Sequence, residues 1–379
     1  MAQIAEMRLR LFFMAVGCWL LAGNIYAQKI TLGSCTTKDG GDYQGEMAVG
    51  NPHGKGKTTW KNGNTYEGEY VKGKREGYGV YTFTDGEKYE GQWVQDHQHG
   101  QGTYYFANNN KYVGLWFKDY QHGQGTMYYF NGDVYQGIWR EDKREGKGKY
   151  TFASGAYYDG EWKNDKKNGR GFFYWADGSS YDGTWKDNMR NGNGIYKYAN
   201  GDMYSGPWLN DVQHGRGYYI FQNGDRYDGS YQNGKRSGHG QSTFVNGDKY
   251  VGNFRDDLKN GQGTFYWANG NTYTGLWQND QPNGEGRLTT KAGDEVKGTF
   301  KNGQPDGICE GHLSDGSSYR AEFHNGKRHG KATEIDKDGL RFEGSYVDGK
   351  RDGAFVEKDR DGKVVHQGTY TNGHRKAEQ

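Results

Sequence analysis

Residues 66–86 read YEGEYVKGKREGYGVYTFTDG, and the spacing of residues in this stretch recurs along almost the whole sequence. After the first tyrosine, each unit carries a glycine, a second aromatic, six loop residues, a Gly-x-Gly, a late aromatic and an Asn-Gly or Asp-Gly pair. A fixed interval of this size is typical of a repeat architecture. Val296, Tyr319 and Phe342 continue the series of first-position residues. The tyrosines at that position follow one another every 23 residues: Tyr43, Tyr66, Tyr89, Tyr112, Tyr135, Tyr158, Tyr181, Tyr204, Tyr227, Tyr250 and Tyr273.

These units resemble the MORN repeat, the membrane occupation and recognition nexus family, from Tyr43 to about Tyr370. So many copies of one motif in a single register make the resemblance highly specific. It implies that the array works as an assembly platform. The sixth unit shows the matching positions: Tyr158, Gly160, Trp162, Gly169, Gly171, Trp175, Asp177 and Gly178.

The position of the Asn-Gly pair relative to the aromatics predicts how each hairpin pairs. A three-residue loop over residues 61–63, with its glycine left-handed, places Thr58 opposite Tyr66 and Gly56 opposite Gly68. All aromatics and glycines then share one face, and the charged residues take the other. The sequence therefore predicts an all-β fold, an elongated single-layer antiparallel β-hairpin repeat array, with roughly 30 strands that span about 140 Å.

We interpret the glycines of each unit as packing sites for aromatic rings. Gly56 opposite Gly68 leaves a hollow that a tyrosine ring can enter. Equivalent tyrosines lie two strands apart, about 9.6 Å, so a ring on the strand between them must connect them. We assign that connecting role to the late aromatics: Trp60, Phe83, Phe106, Tyr129, Phe152 and Trp175.

The first residues read as an export signal. Arg8 and Arg10 precede a short apolar run, and Ala27 offers a cleavage point, so residues 1–27 are predicted to be a secretory signal peptide. We therefore expect the protein in the periplasm, in the envelope or at the cell surface. An uncleaved anchor and a lipidated cysteine stay open as alternatives.

The remaining chain divides into three parts. Residues 28–42 form a half-repeat N-terminal cap, and residues 43–295 form the regular repeats. Residues 296–379 are degenerate repeats with a C-terminal cap or tail, because Val296 replaces a tyrosine and Cys309 replaces a glycine. Capping explains this decay, since terminal repeats need polar outer surfaces. A diverged partner site is the alternative.

Composition limits the classes of function. A hydrophobic content of 32% with 65 glycines excludes a conventional large core, whereas 16% aromatics in strict register oppose disorder. Removing residues 1–27 takes two basic residues from 49 and one acidic residue from 47, which leaves a net charge of +1. Such a balance gives no general attraction to nucleic acid, and we predict no nucleic-acid partner.

Two recurring polar positions carry residue types that can bind a metal ion. A histidine before the Gly-x-Gly and an aspartate in the middle of the six-residue loop both fit turn chemistry better, since other units carry unrelated polar residues or glycine there. With no nucleophile and base, phosphate loop or zinc spacing, the sequence predicts no enzyme, no metal and no cofactor. The positions are His53, His99, His122, His214 and His329, and Asp96, Asp119, Asp142, Asp165, Asp211, Asp257 and Asp280.

The leading hypothesis is a non-enzymatic scaffold that binds a protein partner along its aromatic face. A phospholipid or membrane-surface adaptor using basic loops, and a glycan-binding module, stay open as alternatives, and a homodimer is a further candidate assembly. The candidate partner-binding residues are Trp93, Trp116, Trp139, Trp162, Trp175, Trp185, Trp208, Trp267 and Trp277. The candidate basic loop residues are Lys74, Arg75, Lys143, Arg144, Lys166, Lys167, Lys235 and Arg236.

Overall fold

The computed structural model describes residues 29–376, and every regular element within that range is a β-strand. The predicted signal peptide, residues 1–27, lies outside the described residues. Within the described part of the chain, no helix has the length and apolar character needed to cross a membrane. The chain divides after Gly100 into two compact units, which are described one at a time.

The first unit is a series of antiparallel hairpins, each strand pairing with the next. Gly33 lies opposite Gly45 as Gly56 lies opposite Gly68, which is the pairing that a truncated first repeat requires. The strands are β1 (Thr31–Thr36), β2 (Asp42–Ala48), β3 (Asn51–Thr59), β4 (Thr65–Val71), β5 (Lys74–Thr82), β6 (Lys88–Val94) and β7 (His97–Tyr105), within which the division falls.

The second unit continues the same hairpin pattern, and the predicted all-β antiparallel hairpin array is confirmed. Its further strands are β8 (Lys111–Phe117), β9 (Tyr120–Tyr128), β10 (Val134–Arg140), β11 (Lys143–Thr151), β12 (Tyr157–Lys163), β13 (Lys166–Tyr174), β14 (Ser180–Lys186), β15 (Met189–Lys197), β16 (Met203–Leu209), β17 (Val212–Gln213), β18 (Gly215–Ile220), β19 (Arg226–Gln232), β20 (Lys235–Thr243), β21 (Lys249–Arg255), β22 (Leu258–Tyr266), β23 (Thr272–Gln278), β24 (Gln281–Thr289), β25 (Glu295–Lys301), β26 (Gln304–His312), β27 (Ser318–His324), β28 (Lys327–Ile335), β29 (Arg341–Val347), β30 (Lys350–Arg351), β31 (Gly353–Lys358), β32 (Val364–Thr371) and β33 (His374–Arg375).

The predicted register of the Asn-Gly hairpin is confirmed. Thr58 pairs with Tyr66 and Gly56 with Gly68, and the loop is closed by a hydrogen bond from the Trp60 amide to the Asn64 carbonyl, 3.0 Å. Gly63 has a φ of +87°, the left-handed conformation that the three-residue loop requires. One face of the hairpin therefore carries the aromatics and glycines.

The predicted six-residue loop at the opposite end of each unit is wrong. Lys72 and Gly73 have φ values of +52° and +82°, so they form a two-residue turn of the kind whose twist matches that of its strands. Strand β4 runs to Val71 and β5 begins at Lys74. The basic residues that were predicted to lie in a loop are therefore at the start of a strand.

A β-bulge follows this turn and leaves extra residues on β5. The pairing moves from Gly68 opposite Gly79 to Tyr70 opposite Arg75, so β5 advances by four residues where β4 advances by two. Gly77, inside the bulge, has a φ of +69°, which favours glycine. Because Arg75 is an even number of residues from Gly79, it lies on the aromatic face.

In both compact units the core consists of the first-position tyrosines of the repeats, from Tyr43 to Tyr273, which we call the inner tyrosines. They are at most 1% exposed. Each ring lies over a pair of glycines: a methyl group added at Gly79 would come within 2.2 Å of the Tyr66 hydroxyl oxygen. The interpretation of glycines as ring sites is thereby confirmed, but the predicted hollow between Gly56 and Gly68 is wrong, because Tyr66 lies over Gly68 and Gly79 and Gly56 lies below Tyr43.

The rings that connect successive inner tyrosines are those four residues further along, which we call the bridging rings. Trp162 lies edge-on to Tyr135 and Tyr158, with ring centroids 5.4 and 5.2 Å apart. The assignment of the late aromatics to this role is therefore wrong. The bridging rings are Tyr70 and Trp93 in the first unit, and Trp116, Trp139, Trp162, Trp185, Trp208, Tyr231, Phe254, Trp277 and Phe300 in the second.

Candidate functional site

Seven of the nine candidate tryptophans are part of the core. Trp162 is only 7% exposed, and its indole Nε1 donates to the Gly148 carbonyl oxygen at 2.9 Å. A partner could reach such a ring only by displacing the packing that holds the repeats together, so these residues are unsuited to direct contact. The buried candidates are Trp93, Trp116, Trp139, Trp162, Trp185, Trp208 and Trp277.

Trp175 and Trp267 belong to a different set and remain half-exposed. They stand at the late aromatic position, beside the Asn-Gly or Asp-Gly turn, and we call this set the outer rings. Trp175 packs against Phe173 and Tyr196, with centroids 4.3 and 5.4 Å apart, while its remaining surface is open to solvent. The outer rings are Trp60 and Phe83 in the first unit, and Phe106, Tyr129, Phe152, Trp175, Tyr198, Phe221, Phe244 and Trp267 in the second.

Half of the basic candidates lie on the aromatic face. The Arg144 guanidinium carbon is 4.3 Å from the centroid of Trp162, and the Lys167 ammonium nitrogen is 4.2 Å from that of Trp185. Stacking of this kind stabilises a cation on an aromatic ring. We call Arg75, Arg144, Lys167, Arg190, Arg236 and Lys259 the stacked cations. These residues therefore lie against aromatic rings and not in the basic loops that the phospholipid-adaptor alternative uses.

The other half of the basic candidates are exposed. Each of them directly precedes a stacked cation and points to the opposite side of the strand. They are Lys74, Lys143, Lys166 and Lys235. Lys166 lies 3.4 Å from an Asp187 carboxylate oxygen, and Lys235 lies 3.6 Å from one of Asp256. These contacts reduce the positive charge that the edge offers to an anionic surface.

The recurring aspartates of the turns bind the stacked cations of the preceding hairpin. Asp165 Oδ1 accepts hydrogen bonds from Arg144 N and Nε, both at 3.0 Å, and the Asp165 carbonyl oxygen accepts from Arg144 Nη2 at 2.9 Å. Asp165 itself has a φ of +65°, the turn geometry expected from its alternation with glycine. The alternation of aspartate with glycine does not reveal this contact with a cation, but the constant separation of 21 residues between cation and aspartate is a signal for it in the sequence.

Lys167 is the exception within this series. Its turn partner is Asn188, whose Oδ1 accepts from the Lys167 amide at 2.8 Å and carries no charge. Burial among aromatic rings lowers the pKa of the Lys167 ammonium to about 8. Burial likewise lowers the pKa of Lys259, which has Asp280 at 4.0 Å.

Replacing Asp165 with glycine should weaken the link between two repeats. Arg144 would lose the two hydrogen bonds that Asp165 Oδ1 accepts while its side chain stays 19% exposed, so we expect a loss of about 1–2 kcal/mol in unfolding free energy. Asp142→Gly is the matched control, because Asp142 accepts only from the uncharged Gln121 backbone amide. Thermal melting should show a smaller loss for the control. Equal losses of stability in the two variants would mean that the contact between Arg144 and Asp165 does not stabilise the fold.

The sequence matches the model of a known protein family along most of its length. The MORN repeat matches fourteen consecutive segments, covering residues 43–295 and 297–354. The chain therefore belongs to the MORN repeat family. Among curated proteins, none matches it.

Several solved structures have a low similarity to the chain. A mutant TCP10 domain of CPAP from Danio rerio has 14% identity and a TM-score of 0.30, covering 58% of this chain and 98% of that one. The SAS-4 (dCPAP) TCP domain of Drosophila melanogaster, in complex with a proline-rich motif of Ana2, has 14% identity and a TM-score of 0.27, with 41% and 85% covered. The TCP10c domain of Drosophila melanogaster Sas-4 has 16% identity and the same TM-score, with 41% and 93% covered. We draw no functional conclusion from these similarities.

Proposed function

We propose that this MORN repeat chain is a non-enzymatic scaffold that binds a partner protein through its outer rings. The observation that carries the proposal is their half-exposed surface, repeated once in each hairpin from Phe106 to Trp267. Uncharged aromatic side chains contribute much of the binding energy at protein interfaces. A row of them on a rigid sheet offers such contacts without reorganisation of the backbone.

Charge distribution favours this proposal over a phospholipid adaptor. The stacked cations lie on rings, and most of them have a carboxylate of the next turn within 4.0 Å, so they offer little charge to a headgroup. Glycan binding stays an alternative because sugars also stack on exposed rings. Residues 7–27 support an exported location, which remains a prediction, as does a homodimer.

Removing two outer rings should abolish capture of the partner. We expect Phe152→Ser with Trp175→Ser to reduce recovery of specific proteins from an envelope extract by more than about tenfold, because such rings act as anchors. The control replaces Lys74, Lys143, Lys166 and Lys235 with glutamine and should leave capture unchanged. Circular dichroism melting checks that both variants are folded.

The opposite pattern would contradict the proposal. Loss of capture in the lysine variant, together with binding to anionic vesicles that is released as ionic strength rises, would favour the phospholipid adaptor. Binding on a glycan array that survives salt and depends on Trp175 would favour the glycan module.

A further inference from the structure

The outer rings stop at Trp267, and the packing pattern breaks on the next hairpin. Thr290 stands where the next outer ring would lie, and Leu288 stands where Phe265 lies one repeat earlier. Pro282 replaces the cation that Lys259 supplies in the preceding repeat. Three large side chains are thus exchanged for smaller ones at one place on the aromatic face.

A groove of about 480 Å³ opens at this break. Trp267, Tyr273, Trp277, Leu288 and Phe300 form its apolar walls. Lys259 and Asp280 also line it, with their charged atoms 4.0 Å apart. Since one positive and one negative group compensate each other, the groove favours a neutral occupant.

The first unit has a second groove on its aromatic face, beside Trp60. Thr37 occupies the outer-ring position before Trp60, and a groove of about 250 Å³ opens beside Trp60 there. The hydroxyl groups of both threonines turn into their own hairpins: Thr290 Oγ1 accepts from the Asp294 amide at 3.1 Å, and Thr37 Oγ1 from the Gly41 amide at 2.9 Å. Thr37 lines the groove beside Trp60, whereas the groove beside Trp267 is lined by Leu288 and Pro282 and not by Thr290.

The repeats with a ring show what fits that space. Trp175 contacts Phe173 on its own strand and Tyr196 on the next hairpin. Phe152 and Phe173 make the same contact, with centroids 5.8 Å apart. Tyr196 in turn contacts Trp208, with centroids 5.9 Å apart. In the groove, Trp267 and Phe300 stand where Trp175 and Trp208 do, but Leu288 replaces the ring between them. The space between Trp267 and Phe300 therefore matches one aromatic side chain.

We propose that the groove between Trp267 and Phe300 is a binding pocket for a single uncharged aromatic side chain of a partner protein. The incoming ring takes the place of the ring that Leu288 lacks and packs against Trp267, Trp277 and Phe300. That a protein carries the ring rests on the proposed scaffold function. The pocket itself is independent of the outer rings at Phe152 and Trp175.

The pocket can be tested with N-acetyl-L-tryptophan amide as the probe. The full chain is labelled with 5-fluorotryptophan, and the resonances of Trp267 and Trp277 are assigned by single Trp→Phe variants. A ligand of this size in an open groove should bind with a dissociation constant of about 1–10 mM. We expect the two resonances to shift saturably while those of the buried Trp162 and Trp185 stay unchanged.

Filling the groove provides the decisive variant. Leu288→Phe restores the ring that Phe265 supplies one repeat earlier, so it should fold and weaken binding of the probe by more than about tenfold. Thr274→Phe is the matched control, because Thr274 lies on the opposite face of the same region, and it should bind as the original chain does. If Leu288→Phe does not fold, Leu288→Tyr, which matches Tyr196, serves as the filling variant.

Unchanged probe binding in a folded filling variant would overturn the pocket, as would shifts of equal size at Trp175. Failure of the scaffold proposal is separate. If Phe152→Ser with Trp175→Ser leaves partner capture intact while Leu288→Phe abolishes probe binding, the groove stands and the outer-ring proposal falls. If the two ring substitutions abolish partner capture while the filling variant leaves probe binding unchanged, the scaffold proposal stands and the groove is not a binding site.

Discussion

Raising the pH from about 10 to about 12 should unfold this protein cooperatively. Burial raises the pKa of Tyr181, Tyr227 and Tyr273 to about 12, against a reference value of 10.0. Between these values the unfolded chain loses phenol protons that the folded chain keeps, so stability present below pH 10.0 is lost as the pH rises. Each such tyrosine costs about 1.4 kcal/mol per pH unit, and three together about 4 kcal/mol by about pH 11.

The measurement is a pH titration that follows phenolate absorbance and circular dichroism together. Because a folded domain is stable by about 5–15 kcal/mol, a loss of this size should make the two signals change in one steep transition. Tyr181→Phe removes one of the ionising groups and should move the transition to higher pH, provided that the neutral-pH melting temperature is retained. Gradual ionisation with the β-sheet signal intact would show that the inner tyrosines are accessible.

Gly171→Ala should destabilise the second unit by about 3 kcal/mol. The added methyl carbon would lie 2.3 Å from the Tyr158 hydroxyl oxygen and 2.5 Å from two carbons of its ring. Tyr158 is fully buried and its hydroxyl donates to the Glu161 carbonyl oxygen at 2.9 Å, so the ring cannot swing away without loss. The general preference of strands for alanine over glycine would instead predict that this substitution stabilises the protein.

The degenerate repeats contain a natural version of this experiment. Ala321 and Ala332 occupy the two positions where glycines stand below an inner tyrosine in the regular repeats. Tyr319 is only partly buried there and lies over Gly311, where an added methyl carbon would be 2.0 Å from its ring. The tyrosine therefore leaves its site when the glycines carry methyl groups.

Denaturant unfolding and amide exchange measure the effect of Gly171→Ala. Faster exchange should appear in β12 to β14, with distant repeats spared, because each repeat contacts its neighbours. Tyr158→Phe in the Gly171→Ala background removes the closest atom and should restore part of the stability. Gly178→Ala is the control, since Gly178 has a φ of +89° and open space, and it should cost about 1 kcal/mol from backbone strain alone. A neutral or stabilising Gly171→Ala would refute the ring-site account.

The hairpin register was predictable because side chains alternate with a period of two. Only a three-residue loop at Lys61 to Gly63 brings Trp60, Tyr66 and Gly68 to one face, and a shift of one residue would reverse every side chain. The fold class and the burial of tyrosine over glycine followed from that alternation.

The two-residue turn and the bulge at Gly77 made the other half of each repeat harder to predict. Alternation places Arg75, four residues before Gly79, on the aromatic face, but the six-residue loop predicted over residues 71–76 left Arg75 out of the strand. The spacing of the inner tyrosines predicts a connecting ring, but that ring is not a late aromatic. Trp162 stands two residues after Gly160 on the same face as Tyr158, and from there it reaches Tyr135 of the preceding hairpin.

Hydroxyl-radical footprinting of the full chain, free and bound to its captured partner, tests the central claim most directly. In the free chain the half-exposed Trp175 should oxidise readily, while Trp162 and Trp185 are protected by their burial. Partner binding should protect Trp175 and its neighbouring outer rings and leave the exposed Tyr128 on the opposite face reactive. Protection of Tyr128 with Trp175 unchanged would contradict binding through the outer rings.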